Sequence, residues 1–116
     1  MNDYFKKKLE QIMKDEYQKQ AYLSKNNTVV IAGPGSGKTT VLTTKMADIV
    51  YNQITSNRGV ACITFSNDAA KMLVEKLEKY EIKKRKAIFI GTIHSFCINE
   101  VIKPFIHLYE EYSMPI

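Results

Sequence analysis

The spacing of apolar positions divides this chain into alternating helical and extended stretches. Phe5, Leu9, Ile12, Met13 and Tyr17 recur at helical spacing and Ala21 continues the stripe, which predicts one amphipathic helix or two consecutive ones. The polar run Ser24-Lys25-Asn26-Asn27 ends it. Residues 28–32 (TVVIA) are a short β-branched run that predicts a first strand, and a glycine-rich turn follows. From Thr39 onward Val41, Leu42, Met46, Ile49 and Val50 return to helical spacing. The unit then repeats. Asn57-Arg58-Gly59 turns the chain, residues 60–65 (VACITF) read as a buried strand, and Ala69, Ala70, Leu73 and Leu77 mark a helix after Ser66. In a third unit Lys83 to Lys86 form a basic turn, residues 87–92 (AIFIGT) a strand, and Ser95 to about Ile102 a helix. That helix should end near Pro104, whose ring clashes with the preceding turn. Strands alternating with helices predict an α/β fold, a parallel sheet with helices on its faces, because parallel neighbours need crossover connections.

Composition narrows the class. A chain of 116 residues with 45% hydrophobic composition suits one domain with a modest core. Seventeen Lys plus Arg against twelve Asp plus Glu give a net charge of +5. Such a balance favours nucleotides and nucleic acid without selecting either, and on charge alone a lysine-rich solvated surface is the simpler reading. Cys62 and Cys97 sit in apolar runs with no C-x-x-C or Cys/His cluster, so buried thiols in a reducing compartment are expected. A cytoplasmic location follows as an expectation. No apolar run approaches the length of a membrane span, and the N-terminus lacks the apolar stretch of a signal peptide. Neither repeats nor low-complexity tracts occur.

The run Ala32-Gly33-Pro34-Gly35-Ser36-Gly37-Lys38-Thr39 fits the phosphate-loop pattern G-x-x-x-x-G-K-(S/T), with Ala32 at the first glycine. Glycines at 33, 35 and 37 reach backbone conformations closed to other residues, so that successive N–H groups can point at phosphate oxygens. The helix beginning just beyond adds the partial positive charge of its N-terminus, roughly half an elementary charge. Lys38 supplies a mobile full charge to the β- and γ-phosphates, and the Thr39 hydroxyl can ligate Mg²⁺. With Ser36 and Thr40 these residues make the expected ATP site. An ordinary Gly/Ser turn fits poorly, because the motif lies between a predicted strand and a predicted helix, as its mechanism requires.

After the second predicted strand the chain reads ITFSNDAAKML, and after the third GTIHSFC. Together with AGPGSGKTT these resemble, in order and approximate spacing, motifs Ia, Ib and I of the UvrD/Rep-like superfamily 1 DNA helicases, over roughly Asp15 to Ile102. The resemblance implies a P-loop NTPase of RecA-like three-layer fold, of which the chain would hold the first portion. It implies an enzyme that uses ATP and Mg²⁺ to move along single-stranded DNA, with a second RecA-like domain supplying an arginine to the transition state. It places Thr64, Phe65, Ser66 and Asn67, together with Thr92, His94 and Ser95, along the DNA path. The residue types suit that role, since an aromatic face stacks a base while hydroxyl and amide groups bond phosphate without reading sequence. Taken as a residue, Phe65 fits a stacking platform or a core aromatic at a strand's end equally well. His94 suits a satisfied structural histidine better than a catalytic one, because no partner for catalysis is placed beside it. Asp68 stands where the family commonly has a basic residue, which removes some local attraction for phosphate. The cluster Lys83 to Lys86 could extend a DNA-binding face, although a charge run in a turn is usually just solvated.

The stretch Asp15-Glu16-Tyr17-Gln18 looks like an acidic magnesium site. Such a pair, however, sits at the end of a buried strand, and here Gln11-Ile12-Met13-Lys14 precede it within a helical pattern. Asp15 with Gln18 instead fits a capping box. The stretch also occupies the place of the resembling family's Q motif, with Lys14-Asp15 in place of Leu-Asn, and by that resemblance Gln18 holds adenine. A carboxamide can accept from N6–H and donate to N7 at once, a pairing guanine cannot satisfy. The cap and the base compete for one side chain, and adenine is the favoured role. Glu110-Glu111 follows a short apolar run but carries Glu where the family's acidic motif begins with Asp, so that motif is expected beyond residue 116.

These expectations describe residues 1–116 as the N-terminal portion of a helicase ATP-binding domain, with 1–26 a helical segment carrying the Q-motif-like stretch. The isolated chain should bind ATP or ADP, hydrolyse it negligibly and self-associate through exposed sheet edges. Its expected partners are single-stranded DNA and the remainder of a helicase chain. A P-loop protein of another kind, such as a small-molecule kinase or an ATP sensor, would keep Lys38 and Thr39 but owe nothing to Phe65, Asn67 or His94. A non-catalytic interaction module would fold without binding nucleotide.

Overall fold

The computed structural model describes residues 2–33, 35, 37–53, 58–82 and 88–108. The N-terminal stripe forms two helices, α1 (Asp3–Met13) and α2 (Glu16–Leu23). Asn2 caps α1 by accepting the Phe5 amide at 3.0 Å. The division between the helices falls at Asp15, whose backbone is extended and whose carboxylate accepts the amides of Tyr17 and Gln18. A short acidic side chain that bonds nearby amides competes with helix continuation, so it starts a new helix.

Beyond the glycine-rich loop lies α3 (Lys38–Asp48), which runs on as one π-helical turn at Ile49–Gln53. Then come β1 (Val60–Thr64), α4 (Asn67–Glu78), β2 (Ile88–Thr92) and the single turn α5 (Ile93–Phe96). Ser66 caps α4 by accepting the Ala69 amide at 3.1 Å. The chain stays helical through Cys97–Ile102 (π) and Lys103–Leu108 (3-10). Pro104 therefore does not end the helical stretch. It sits in the first turn of the 3-10 segment, where a missing N–H costs little.

β1 and β2 pair in parallel, with Val60 beside Ile88, Cys62 beside Ile90 and Thr64 beside Thr92. One face of this sheet packs on the core, where Phe5 of α1, Met46 and Ala47 of α3, Cys62, and Leu73 and Leu77 of α4 meet Tyr80. Cys62 is 8% exposed while its neighbour Ile63 is 44% exposed, so the second face of β1 is open, not covered as the predicted architecture requires. On β2 that face is partly covered by α5, where the rings of Phe89 and Phe96 meet edge to face at 5.3 Å. A side chain at Gly91 would collide with the Phe89 ring, its Cβ coming within 2.9 Å.

The predicted first strand does not form. Residues 27–33 have no regular structure, and Val29, Val30 and Ile31 are 85%, 55% and 95% exposed. A β-branched run becomes a strand only by pairing, and among the described residues β1 and β2 are the only strands and pair with each other. Cys62 is buried as expected, and burial raises its thiol pKa, but Cys97 is exposed. Asn57 and the basic cluster Lys83 to Lys86 lie outside the described residues, as do Glu110 and Glu111. Among the described residues no helix is long and apolar enough to cross a membrane.

Candidate functional site

The glycine-rich loop ends on Gly37, which takes a left-handed conformation at φ 82° and serves as the N-cap of α3. Gly35 is left-handed as well, at φ 77°, so two of the three loop glycines occupy backbone space that disfavours a side chain. Gly33 is the exception: its φ is not positive and nothing lies within 4 Å of where its Cβ would be. Lys38 opens α3 and its Nζ donates to the Ala32 carbonyl at 3.0 Å, which holds the ammonium over the loop. Thr39 and Thr40 follow in the first turn, half-buried. The first amides of a helix have no intrahelical acceptor, so this turn offers donors and the positive end of the helix dipole on the loop side. Ser36 lies outside the described residues.

Gln18 reaches this loop from α2. A Cβ on Gly37 would come within 2.8 Å of the Gln18 Nε2, so the carboxamide lies directly against the loop's last glycine. Between α2, residues 26–33 and α3 runs a groove of about 640 Å³, lined by Gln18, Tyr17, Gly33, Lys38 and Leu42 among others. Asp15 is the only carboxylate among its described lining residues. Its Oδ1 accepts the amides of Tyr17 at 2.9 Å and Gln18 at 3.1 Å, which is the work of a cap. The chain Asp15-Glu16 is thus a helix start, as its sequence context indicates.

A second cluster forms where both strands end. The parallel register sets Thr64 beside Thr92, so the segments 64–67 and 92–95 leave the sheet side by side at its carboxyl edge. Ligands of open parallel sheets gather at that edge. Phe65, just past the last ladder pair, is wholly exposed, which removes the core role left open for it. Asn67 and His94 are exposed too, so His94 is not a buried structural histidine. The hydroxyls are partly committed locally. Thr64 donates to the Ser66 carbonyl at 3.0 Å, Ser66 caps α4, and Thr92 donates to Ser95 Oγ at 3.1 Å while accepting its amide.

Residues 13–113 match the family described as the UvrD/REP helicase N-terminal domain, a span that includes both the loop and the strand-end cluster. The chain belongs to this family. It is 41% identical over 68 residues to a protein named probable DNA helicase II homolog from Mycoplasma capricolum subsp. capricolum, covering 59% of this chain and 9% of that one. A protein of the same name from Rickettsia felis is 35% identical over 80 residues, 69% of this chain and 12% of the relative. The ATP-dependent DNA helicase PcrA of Staphylococcus aureus is 37% identical over 70 residues, 60% and 10% of the respective chains. The chain thus spans about a tenth of the length of these curated relatives. Membership of the UvrD/REP family implies a P-loop NTPase fold, and the helix-rich structure with its two-stranded parallel sheet is consistent with part of such an α/β domain.

Within this UvrD/REP-type chain two sets of contacts escaped the sequence. Lys45 of α3 donates from Nζ to the carbonyls of Ala21 at 3.1 Å and Ser24 at 2.5 Å, pinning the C-terminal end of α2, and with it Gln18, to the loop's helix. A cation near a helix C-terminus is favoured by the dipole as well as by the bonds. Thr43 and Thr44, both buried, meet the hydroxyl of Tyr80. Two adjacent threonines on the inner face of an amphipathic helix are a readable signal, since each buried hydroxyl needs a partner. The identity of that partner, distant in the chain, is not readable.

Proposed function

We propose that this chain is the ATP-binding, DNA-facing portion of an ATP-dependent DNA helicase of the UvrD/REP type. The observation that carries it is the family match from 13 to 113, because it spans the loop and the strand-end cluster together. ATP is bound with its phosphates over Gly33, Gly35, Ser36 and Gly37 and the first turn of α3, and with adenine beside Gln18 in the groove. Lys38 neutralises phosphate charge and Thr39 ligates Mg²⁺, and these two are the catalytic residues proposed here. Thr39 would give Mg²⁺ one protein hydroxyl, and the ion would offset phosphate charge there. Thr40 adds a backbone amide. Lys45, by fixing α2 against α3, keeps the adenine and phosphate ends of the groove in register.

Single-stranded DNA runs along the carboxyl edge of the sheet. Phe65 stacks a base, and Thr64, Ser66, Asn67, Thr92, His94 and Ser95 contact the backbone. The domain is RecA-like and three-layered, completed by the remainder of a helicase chain that supplies the acidic motif and the second arginine-bearing domain. The 116-residue chain, assigned as one unit with its helical segment at 1–26, binds nucleotide, hydrolyses it negligibly and does not unwind. We place it in the cytoplasm.

Titration with fluorescent oligothymidylate at stepped salt tests the DNA assignment. Binding should weaken as salt rises, and Phe65→Ala should weaken it further by about 1–3 kcal/mol, the worth of one stacked base. A Phe65→Ala chain that binds like the wild type would contradict it and favour a kinase or sensor that owes nothing to this residue.

A further inference from the structure

Tyr80 is 2% exposed and stands in the turn just beyond α4, where its amide donates to the Leu77 carbonyl. Its ring is held from α1 by edge-on contacts with Tyr4, at 4.9 Å between centroids, and Phe5, at 6.2 Å. The hydroxyl lies 2.7 Å from Thr44 Oγ1 and 3.4 Å from Thr43 Oγ1. Thr44 donates in turn to the Thr40 carbonyl at 2.7 Å, and Thr43 donates to the carbonyls of Thr39 at 2.9 Å and Thr40 at 3.2 Å. Each threonine has one proton to give. Thr44 has committed its proton to Thr40, so Tyr80 must be the donor to Thr44. The chain of bonds therefore runs one way, from the phenol through Thr44 to the backbone of the first turn of α3.

That turn carries the residues assigned above to magnesium and phosphate. Threonine hydroxyls that bond back to carbonyls in the preceding turn bend a helix, so their strength sets the local curvature. The opposite end of α4 begins at Ser66, beside Phe65 and Asn67 on the DNA-facing edge. We propose that Tyr80 is a positioning residue of the nucleotide site, which sets the first turn of α3, and with it the Thr39 hydroxyl, from the far end of the helix that starts at the DNA-facing edge. The proposal rests on the nucleotide reading of the loop. A phenol serving the core alone would affect stability and not the metal dependence of binding.

The test is isothermal titration of the full chain with ADP, once with Mg²⁺ and once with EDTA. Tyr80→Phe keeps the ring and removes the donor. It should weaken Mg²⁺–ADP binding about three- to tenfold, the range of one hydrogen bond, and leave metal-free binding within about twofold. Thr44→Val, which removes this bond and also the one to the Thr40 carbonyl, should lose at least as much in Mg²⁺–ADP binding, and the double variant should be no worse than Thr44→Val, because the Tyr80 bond is already gone there. An unchanged gain from Mg²⁺ in Tyr80→Phe and Thr44→Val, or an equal loss with and without metal, would overturn the proposal. Lys38→Ala separates the two levels: if it alters binding while the Tyr80 and Thr44 variants do not, only the positioning role fails. If it too is without effect, the nucleotide reading fails and the positioning role with it.

Discussion

A single carboxylate, Asp15, decides where the first two helices divide and what the acidic stretch around it can do. With one oxygen on two amides it is committed to starting α2, and the same turn brings Gln18 against Gly37. Asp15→Ala should therefore destabilise the chain by about 1 kcal/mol, the usual worth of a helix cap, read as a shift in the urea unfolding midpoint. A midpoint equal to the wild type's would mean that α2 does not depend on its cap. The cap was legible because an acid followed by Gln at the fourth position is a local pattern. Gln18 was legible only through resemblance, since nothing local says that a carboxamide should lie beside a loop far along the chain. Phe65 shows the converse. Its two roles differ only in whether the strand continues past Thr64, and the ladder, which stops there, settles its exposure.

Among the elements, those with strong internal pattern formed where the periodicity places them. α4 has Ser66 at its start and apolar residues at 70, 73 and 77 facing the core, while β1 and β2 follow their β-branched runs. The run 28–32 had as good a pattern as either strand and did not pair. Helix-forming bonds are local, whereas a strand's bonds belong to its neighbour, so the sequence of a strand cannot report whether the neighbour is present. Among the described residues the outcome is an open edge on each strand of a two-stranded sheet, together with an apolar segment at Val29, Val30 and Ile31 in solvent. Such edges and patches associate. The mass measured by light scattering should rise above the monomer with concentration, and Ile31→Lys should reduce that rise. A monomer mass across the whole range would count against self-association.

At the level of the molecule, the core is small for the apolar surface it should gather. Ten hydrophobic residues are buried among those described, while fourteen large ones are exposed. Around the glycine-rich loop the helices are tied together, α2 to α3 through Lys45 and α4 to α3 through Tyr80. The proposed function requires that loop to hold a nucleotide's phosphates. Calorimetric titration of the wild-type chain and of Lys38→Ala with magnesium nucleotide measures this directly. The wild type should bind saturably, and binding should fall at least about tenfold without the ammonium, as for a charge-assisted bond. Equal affinities in the two proteins, or no binding by the wild type, would contradict it.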